Sequence, residues 1–105
     1  MAAIDLNLVR VFVTLFDARS VTVAADRLNV TQPSVSYALS RLRDLFDDRL
    51  FVRSRDGMEP TFTAIQLYPT LRDSLAQIDS TLEENREFVP RSSHRRFRLA
   101  LTDLG

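Results

Sequence analysis

Cysteine is absent from this chain, which excludes disulfide scaffolds, thiolate zinc fingers, iron–sulfur clusters and cysteine nucleophiles. Histidine occurs once, at His94, too little for a histidine-rich metal site. The two glycines, Gly57 and Gly105, cannot build a phosphate loop of the G-x-G-x-x-G or G-x-x-x-x-G-K kind. No apolar run approaches the ~20 residues that span a bilayer, and no basic start followed by an apolar core marks a leader. No metal, no organic cofactor and no membrane segment are therefore expected, and the lack of cysteine fits the cytoplasm. Nor does a nucleophile, base and orienting group come together. His94 lies in a Ser- and Arg-rich stretch, and the Asp47-Asp48 and Glu83-Glu84 pairs sit in polar contexts, so an enzyme is not expected.

Lysine is missing too. All fourteen basic residues are arginine, and fourteen acidic residues balance them to a net charge of zero. A GC-rich coding bias explains the arginine preference; the planar fork of arginine also suits phosphate. The zero average conceals segregation. Residues 31–55 carry five arginines against three aspartates, residues 61–90 two arginines against five acids, and residues 91–105 four arginines against Asp103. A basic patch, an acidic rod and a basic tail follow one another.

The pattern of apolar residues is mainly helical. Asp5 can cap a first helix in which Leu8, Val9, Phe12, Val13, Leu15 and Phe16 recur at helical spacing. Ser20 can cap a second, over about 21–28, with Val23, Ala24 and Leu28 inward, closed by Asn29. Thr31 can cap a third, with Pro33 in its first turn, running to about Phe46. In that helix Val35, Ala38, Leu39, Leu42, Leu45 and Phe46 fall within an arc of about 120°. Gln32, Pro33, Ser36, Tyr37, Ser40, Arg41, Arg43 and Asp44 fall outside it.

Leu50-Phe51-Val52 is apolar and β-prone, Asp56-Gly57 is a hairpin turn signal, and Met58–Thr61 reads as a short return strand. From Thr61 the residues Ile65, Tyr68, Leu71, Leu75, Ile78 and Leu82 step by three or four, a seam of coiled-coil-like period. Pro69 is expected to kink that helix or to mark where its regular part begins. A helix of about 25 residues is ~38 Å long, too long and too narrow in its apolar face for the core of a small domain, so it is expected to pair with another helix. Pro90–His94 reads as a hinge, and Phe97-Arg98-Leu99-Ala100-Leu101 as a strand without a partner. The expected architecture is mainly α: a winged helix-turn-helix domain over residues 1–60, a long linker or dimerisation helix over 61–89, and over 90–105 a hinge with the first strand of a further domain.

Three helices and an arginine-bearing hairpin suit DNA. A recognition helix buries one face and offers short polar groups to base edges in the major groove, while its N-terminus offers free N–H groups to phosphate. Thr31, Gln32, Ser34 and Ser36 cluster at that end, and Arg53 and Arg55 on the hairpin can reach backbone phosphates. Small three-helix domains also bind proteins, so on these residues alone a protein-binding module remains the alternative.

The motifs add more. Ser20-Val-Thr-Val-Ala-Ala-Asp-Arg-Leu-Asn-Val-Thr-Gln-Pro-Ser-Val-Ser36 resembles the N-terminal signature of LysR-type transcriptional regulators, with its Ser, paired alanines, Leu, Thr-Gln-Pro and Ser at this spacing. Leu50-Phe51-Val52-Arg53 matches the family's Leu-Phe-x-Arg wing strand, and Pro60-Thr61 its linker-helix start. Three positions depart from the pattern. Leu42-Arg43 replaces the usual Leu-Glu, Asp47 replaces the usual turn Gly, and Thr61–Ile65 lacks the Gly of Thr-x-Ala-Gly. The arginines of the third helix and the segments around Phe46–Arg53 and Gly57–Thr61 resemble a subgroup that senses aromatic inducers.

The resemblance implies base contacts from Gln32, Pro33, Ser36 and Tyr37, and phosphate contacts from Thr31, Ser34 and Arg53. Arg41 and Arg55 join them on exposure and charge, with ion pairs from Arg41 or Arg43 to Asp44 or Asp47 as the alternative. It implies a homodimer through Tyr68, Leu71, Leu75, Ile78 and Leu82 on antiparallel linker helices, bound to an inverted-repeat operator in double-stranded DNA. It also implies tetramers in the full-length protein, and a small aromatic inducer bound only by an effector domain of periplasmic-binding-protein type after the hinge.

Overall fold

The structure is a computed structural model that describes residues 5–88, with side chains described to Glu84. The hinge and strand expected over 90–105, His94 included, lie outside the described residues. The elements run α1 (Leu6–Ala18), α2 (Val21–Leu28), α3 (Gln32–Phe46), β1 (Phe51–Ser54), β2 (Gly57–Pro60) and α4 (Phe62–Phe88).

Each of the first three helices starts on the cap its sequence offers. The side chains of Asp5, Ser20 and Thr31 accept from the backbone N–H groups of Asn7, Val23 and Ser34. Each ends on a residue in the left-handed conformation: Arg19 at φ 57°, Asn29 at φ 59° and Asp47 at φ 51°. Asp47 thus holds the backbone shape that glycine usually supplies, which a short polar side chain tolerates.

One apolar core joins the elements. Phe12, Leu15, Val35, Leu42, Leu50 and Phe51 are fully buried, and Ala24, Ala38, Leu39, Met58 and Ala64 complete its centre. The Phe12 and Phe51 rings lie 5.5 Å apart and Phe16 stands edge-on to Phe51 at 6.3 Å. Two residues expected inward are exposed: Val23, at 40%, and Leu45, at 39%. Ala24 and Ala25 both point into the core, so the inward direction of α2 lies between them, and Val23 falls about 150° away at 100° per residue. Leu45 sits on the flank of the α3 arc, in its last turn.

The strands pair antiparallel, with Phe51 opposite Pro60 and Ser54 opposite Gly57. The two-residue loop is Arg55-Asp56, one residue earlier than the Asp56-Gly57 signal suggested, and Gly57 opens the return strand at φ 129°.

In α4 the helix begins where Thr61 accepts from the Ala64 N–H through Oγ1 and from the Ile65 N–H through its carbonyl. It runs unbroken through Pro69, which therefore does not mark its start. Proline removes one rung, the N–H owed to the Ile65 carbonyl. Packing compensates: Leu67, Tyr68, Leu71 and the buried Leu75 lie against the core. Tyr68 stacks on Phe16 at 3.9 Å and donates to Asp17 at 2.6 Å. That bond favours the neutral phenol and raises the Tyr68 pKa, with partial burial adding to the effect. The first compact unit extends to Leu75, and the second begins at Ala76. Of the expected seam Leu75 is buried within the chain and Tyr68 and Leu71 are partly buried, whereas Ile65, Ile78 and Leu82 remain 51%, 41% and 51% exposed.

Candidate nucleic-acid interface

Between α2 and α3 the chain turns in three residues. The Val30 N–H returns to the Ala25 carbonyl at 3.0 Å and the Asn29 N–H to the Asp26 carbonyl at 3.2 Å, a tight closure of α2. Thr31 then caps α3, and its hydroxyl lies 2.9 Å from that of Ser34. Because Val35, Ala38, Leu39 and Leu42 are buried, the opposite face of α3 is turned to solvent. Gln32, Pro33, Ser34, Ser36, Tyr37 and Arg41 are all exposed along it. Tyr37 keeps 64% of its surface open. Arg41 donates to the Tyr37 hydroxyl at 3.1 Å and lies 5.8 Å from its ring centre. The ion pair to Asp44 or Asp47 that the sequence offered as an alternative is not formed among the described residues; Tyr37, one turn away on α3, holds the guanidinium instead.

Arg43 has a different job. Its Nε donates to the Arg49 carbonyl and an Nη to the Phe51 carbonyl, each at 2.8 Å, so it ties α3 to the start of the wing. A glutamate at this position would accept hydrogen bonds but could not donate to carbonyls.

The wing begins under strain. Leu50 takes φ 64°, a left-handed conformation costly for a bulky residue, and the Phe51 N–H bonds back to the Arg49 carbonyl at 2.6 Å, a three-residue γ-type turn. Several contacts hold it there. Leu50 and Phe51 are both fully buried, and Asp48 accepts from the Leu50 N–H at 2.8 Å and from the Thr61 hydroxyl at 2.7 Å. These bonds, the Thr61 hydroxyl first, hold the Asp48 carboxyl below its ordinary range. Asp48 therefore links the entrance of the wing to the start of α4.

Strand alternation puts Arg53 on the same hairpin face as Phe51 and Met58. Arg53 is exposed. Arg55 occupies the loop. The two arginines that the sequence paired thus stand in different places. Arg53 lines a cleft of about 270 Å³ with Ser36, Leu39, Arg43 and Arg49, whereas Arg55 does not. The sequence carried no sign of Arg49, because its place in the cleft follows from the γ-type turn at Leu50. Nor did it show the tie from Arg43, whose partners are main-chain carbonyls that every residue possesses.

A capped helix, a helix-turn-helix and a two-stranded wing over one core define a winged helix-turn-helix protein. The family model described as bacterial regulatory helix-turn-helix protein, lysR family, matches residues 6–64, more than half of the chain, and the chain belongs to that family. It is 43% identical over 102 residues to the HTH-type transcriptional activator NahR of Pseudomonas putida, covering 97% of this chain and 34% of that protein. The solved structure of the probable transcriptional regulator PA0477 from Pseudomonas aeruginosa is 41% identical with a TM-score of 0.77, over 83% of this chain and 29% of the other. The BenM DNA-binding domain, solved with catB site 1 DNA, shares the fold at a TM-score of 0.74 and 23% identity, over 88% of this chain and all of the other. The chain spans about a third of the length of the curated relatives it matches. NahR is an HTH-type transcriptional activator and PA0477 a probable transcriptional regulator. Among the described residues no helix is long and apolar enough to cross a membrane.

Proposed function

We propose that this chain is the operator-reading part of a LysR-type regulator, working in the cytoplasm, with α3 in the major groove and the wing on the flanking backbone. The observation that carries this reading is the exposed row from Thr31 to Arg41 on a helix whose other face buries Val35, Ala38, Leu39 and Leu42. In this reading Gln32, Pro33, Ser36 and Tyr37 meet base edges. Thr31 and Ser34 at the helix start, with Arg41, Arg53 and Arg55, meet phosphate. Fluorescence anisotropy with a promoter fragment containing an inverted repeat, and with a scrambled duplex, tests it at several salt concentrations. Gln32→Ala is expected to weaken binding to the repeat by ~1–3 kcal/mol while leaving the scrambled duplex unaffected. Arg53→Ala is expected to weaken both alike and to flatten the salt dependence by about one phosphate contact. Equal loss on both duplexes for Gln32→Ala would refute base reading.

An inverted repeat calls for a symmetric dimer. Of the seam expected for it, Leu75 is buried in its own chain, and Tyr68 and Leu71 pack against the core with part of their surface open. Ile78 and Leu82 carry the exposed continuation, and we assign the antiparallel contact between linker helices to them first. Leu75→Asp would damage the core and so is a poor probe. Ile78→Asp combined with Leu82→Asp is expected to give a folded monomer by light scattering, and a persistent dimer would place the interface elsewhere. Tetramer assembly and response to an aromatic inducer belong, in the same reading, to an effector domain of the full-length protein.

A further inference from the structure

We propose that the cleft between α3 and the wing seats a backbone phosphate of DNA, with Arg49 and Arg53 as its two arms. The proposal rests on the reading that α3 enters the major groove, and it adds a binding residue, Arg49, and a defined site to it.

Three arginines, Arg43, Arg49 and Arg53, line the same open cleft, and no acidic residue lines it. Arg43 is already engaged by the carbonyls of Arg49 and Phe51. Among the described residues, no hydrogen bond or ion pair holds the side chain of Arg49 or Arg53. Like charges gathered without a counter-charge repel each other, and an oxyanion between them removes that cost. The buried Leu39 and Met58 also line the cleft, and such low-dielectric lining makes arginines attract an anion more strongly than in open water.

The walls are built rather than incidental. Arg43 clamps the wing to α3 at two carbonyls, the turn at Leu50 fixes the backbone next to Arg49, and strand pairing fixes the backbone at Arg53. At about 270 Å³ the cleft holds a phosphodiester group with its waters, given about 30 Å³ per water. Ser36, on the exposed row of α3, forms one edge of the cleft. The site therefore borders the face that meets the groove, where the DNA backbone runs.

A backbone contact is independent of sequence, so the probe is a random-sequence duplex titrated by anisotropy from low to moderate salt, with the wild-type chain, Arg49→Gln and Arg72→Gln. Arg72 lies on α4, paired with Asp73 at 3.0 Å, and controls for loss of one positive charge. The expected result is a fall of about 0.9 in the slope of log K against log salt for Arg49→Gln, with weaker binding, an unchanged circular dichroism melt, and little change for Arg72→Gln. Partial recovery is expected for Arg49→Lys. A wild-type slope retained in Arg49→Gln would overturn the phosphate seat while leaving groove reading by α3 intact. Equal slope loss in Arg72→Gln would also overturn it, as an effect of net charge. Calorimetric binding of inorganic phosphate, lost in Arg49→Gln while the DNA slope stays unchanged, would overturn the DNA assignment in favour of a free anion. Wild-type chain that shows no salt-dependent binding to any duplex would overturn both readings.

Discussion

Replacing Phe51 by alanine is expected to remove about 3–5 kcal/mol of stability, the largest effect of any single truncation in the wing. Phe51 is fully buried, lies against the rings of Phe12 and Phe16, and is the one wing aromatic in the core. Truncation leaves a cavity between β1 and α1 that neither element closes easily. β1 is held on one side by the Arg43 bond to the Phe51 carbonyl and on the other by pairing with β2. A domain of this size has little stability to lose, so the variant is expected to be largely unfolded at physiological temperature. Phe51→Leu keeps most of the volume and should cost under about 1.5 kcal/mol. Urea titration followed by circular dichroism measures both. A Phe51→Ala variant within about 1 kcal/mol of wild type would mean that the wing is not part of the cooperative core.

Gly57→Ala comes second, at about 2–4 kcal/mol. Gly57 takes φ 129°, a conformation that side-chain-bearing residues rarely adopt. A Cβ built there would also run into the carbonyl oxygen of Arg19, at the junction of α1 and α2. The same carbonyl accepts the Met58 N–H at 2.9 Å, so the backbone of the wing presses directly on that of the first helical corner. Strain and close approach each cost about 1–3 kcal/mol, and neither relaxes without opening that hydrogen bond. The melting temperature is expected to fall and DNA affinity to weaken with it, because displacing the wing also displaces Arg53. Wild-type melting temperature and affinity together would show that the wing does not dock on the helical corner.

The two residues differ in how visible they are before folding. Phe51 stands in an apolar β-prone run and is legible as core. Gly57 is legible only as a turn glycine, whereas in the structure it is the first strand residue and its need for glycine comes from Arg19, thirty-eight positions earlier. The same division runs through the candidate site. Thr31, Pro33 and the polar row of α3 were readable because a cap and a helical period are local matters. Arg43 and Arg49 were not, because one acts on main-chain carbonyls and the other stands next to a strained turn.

The sequence by itself determined the three caps, the helix faces, the hairpin and, through its motifs, the family. These depend on neighbours within about four residues, where covalent geometry leaves few choices. Tertiary structure alone decided that Val23 turns outward, that Leu75 is buried and Tyr68 and Leu71 partly buried against their own domain, and that Arg43, Arg49 and Arg53 share one cleft. A seam at helical spacing specifies that something must cover it, but apolar burial has no direction, so it does not say whether the cover comes from the same chain or another. Within this chain part of the cover comes from α1: the ring of Phe16 stacks on Tyr68 and the carboxylate of Asp17 accepts its hydroxyl.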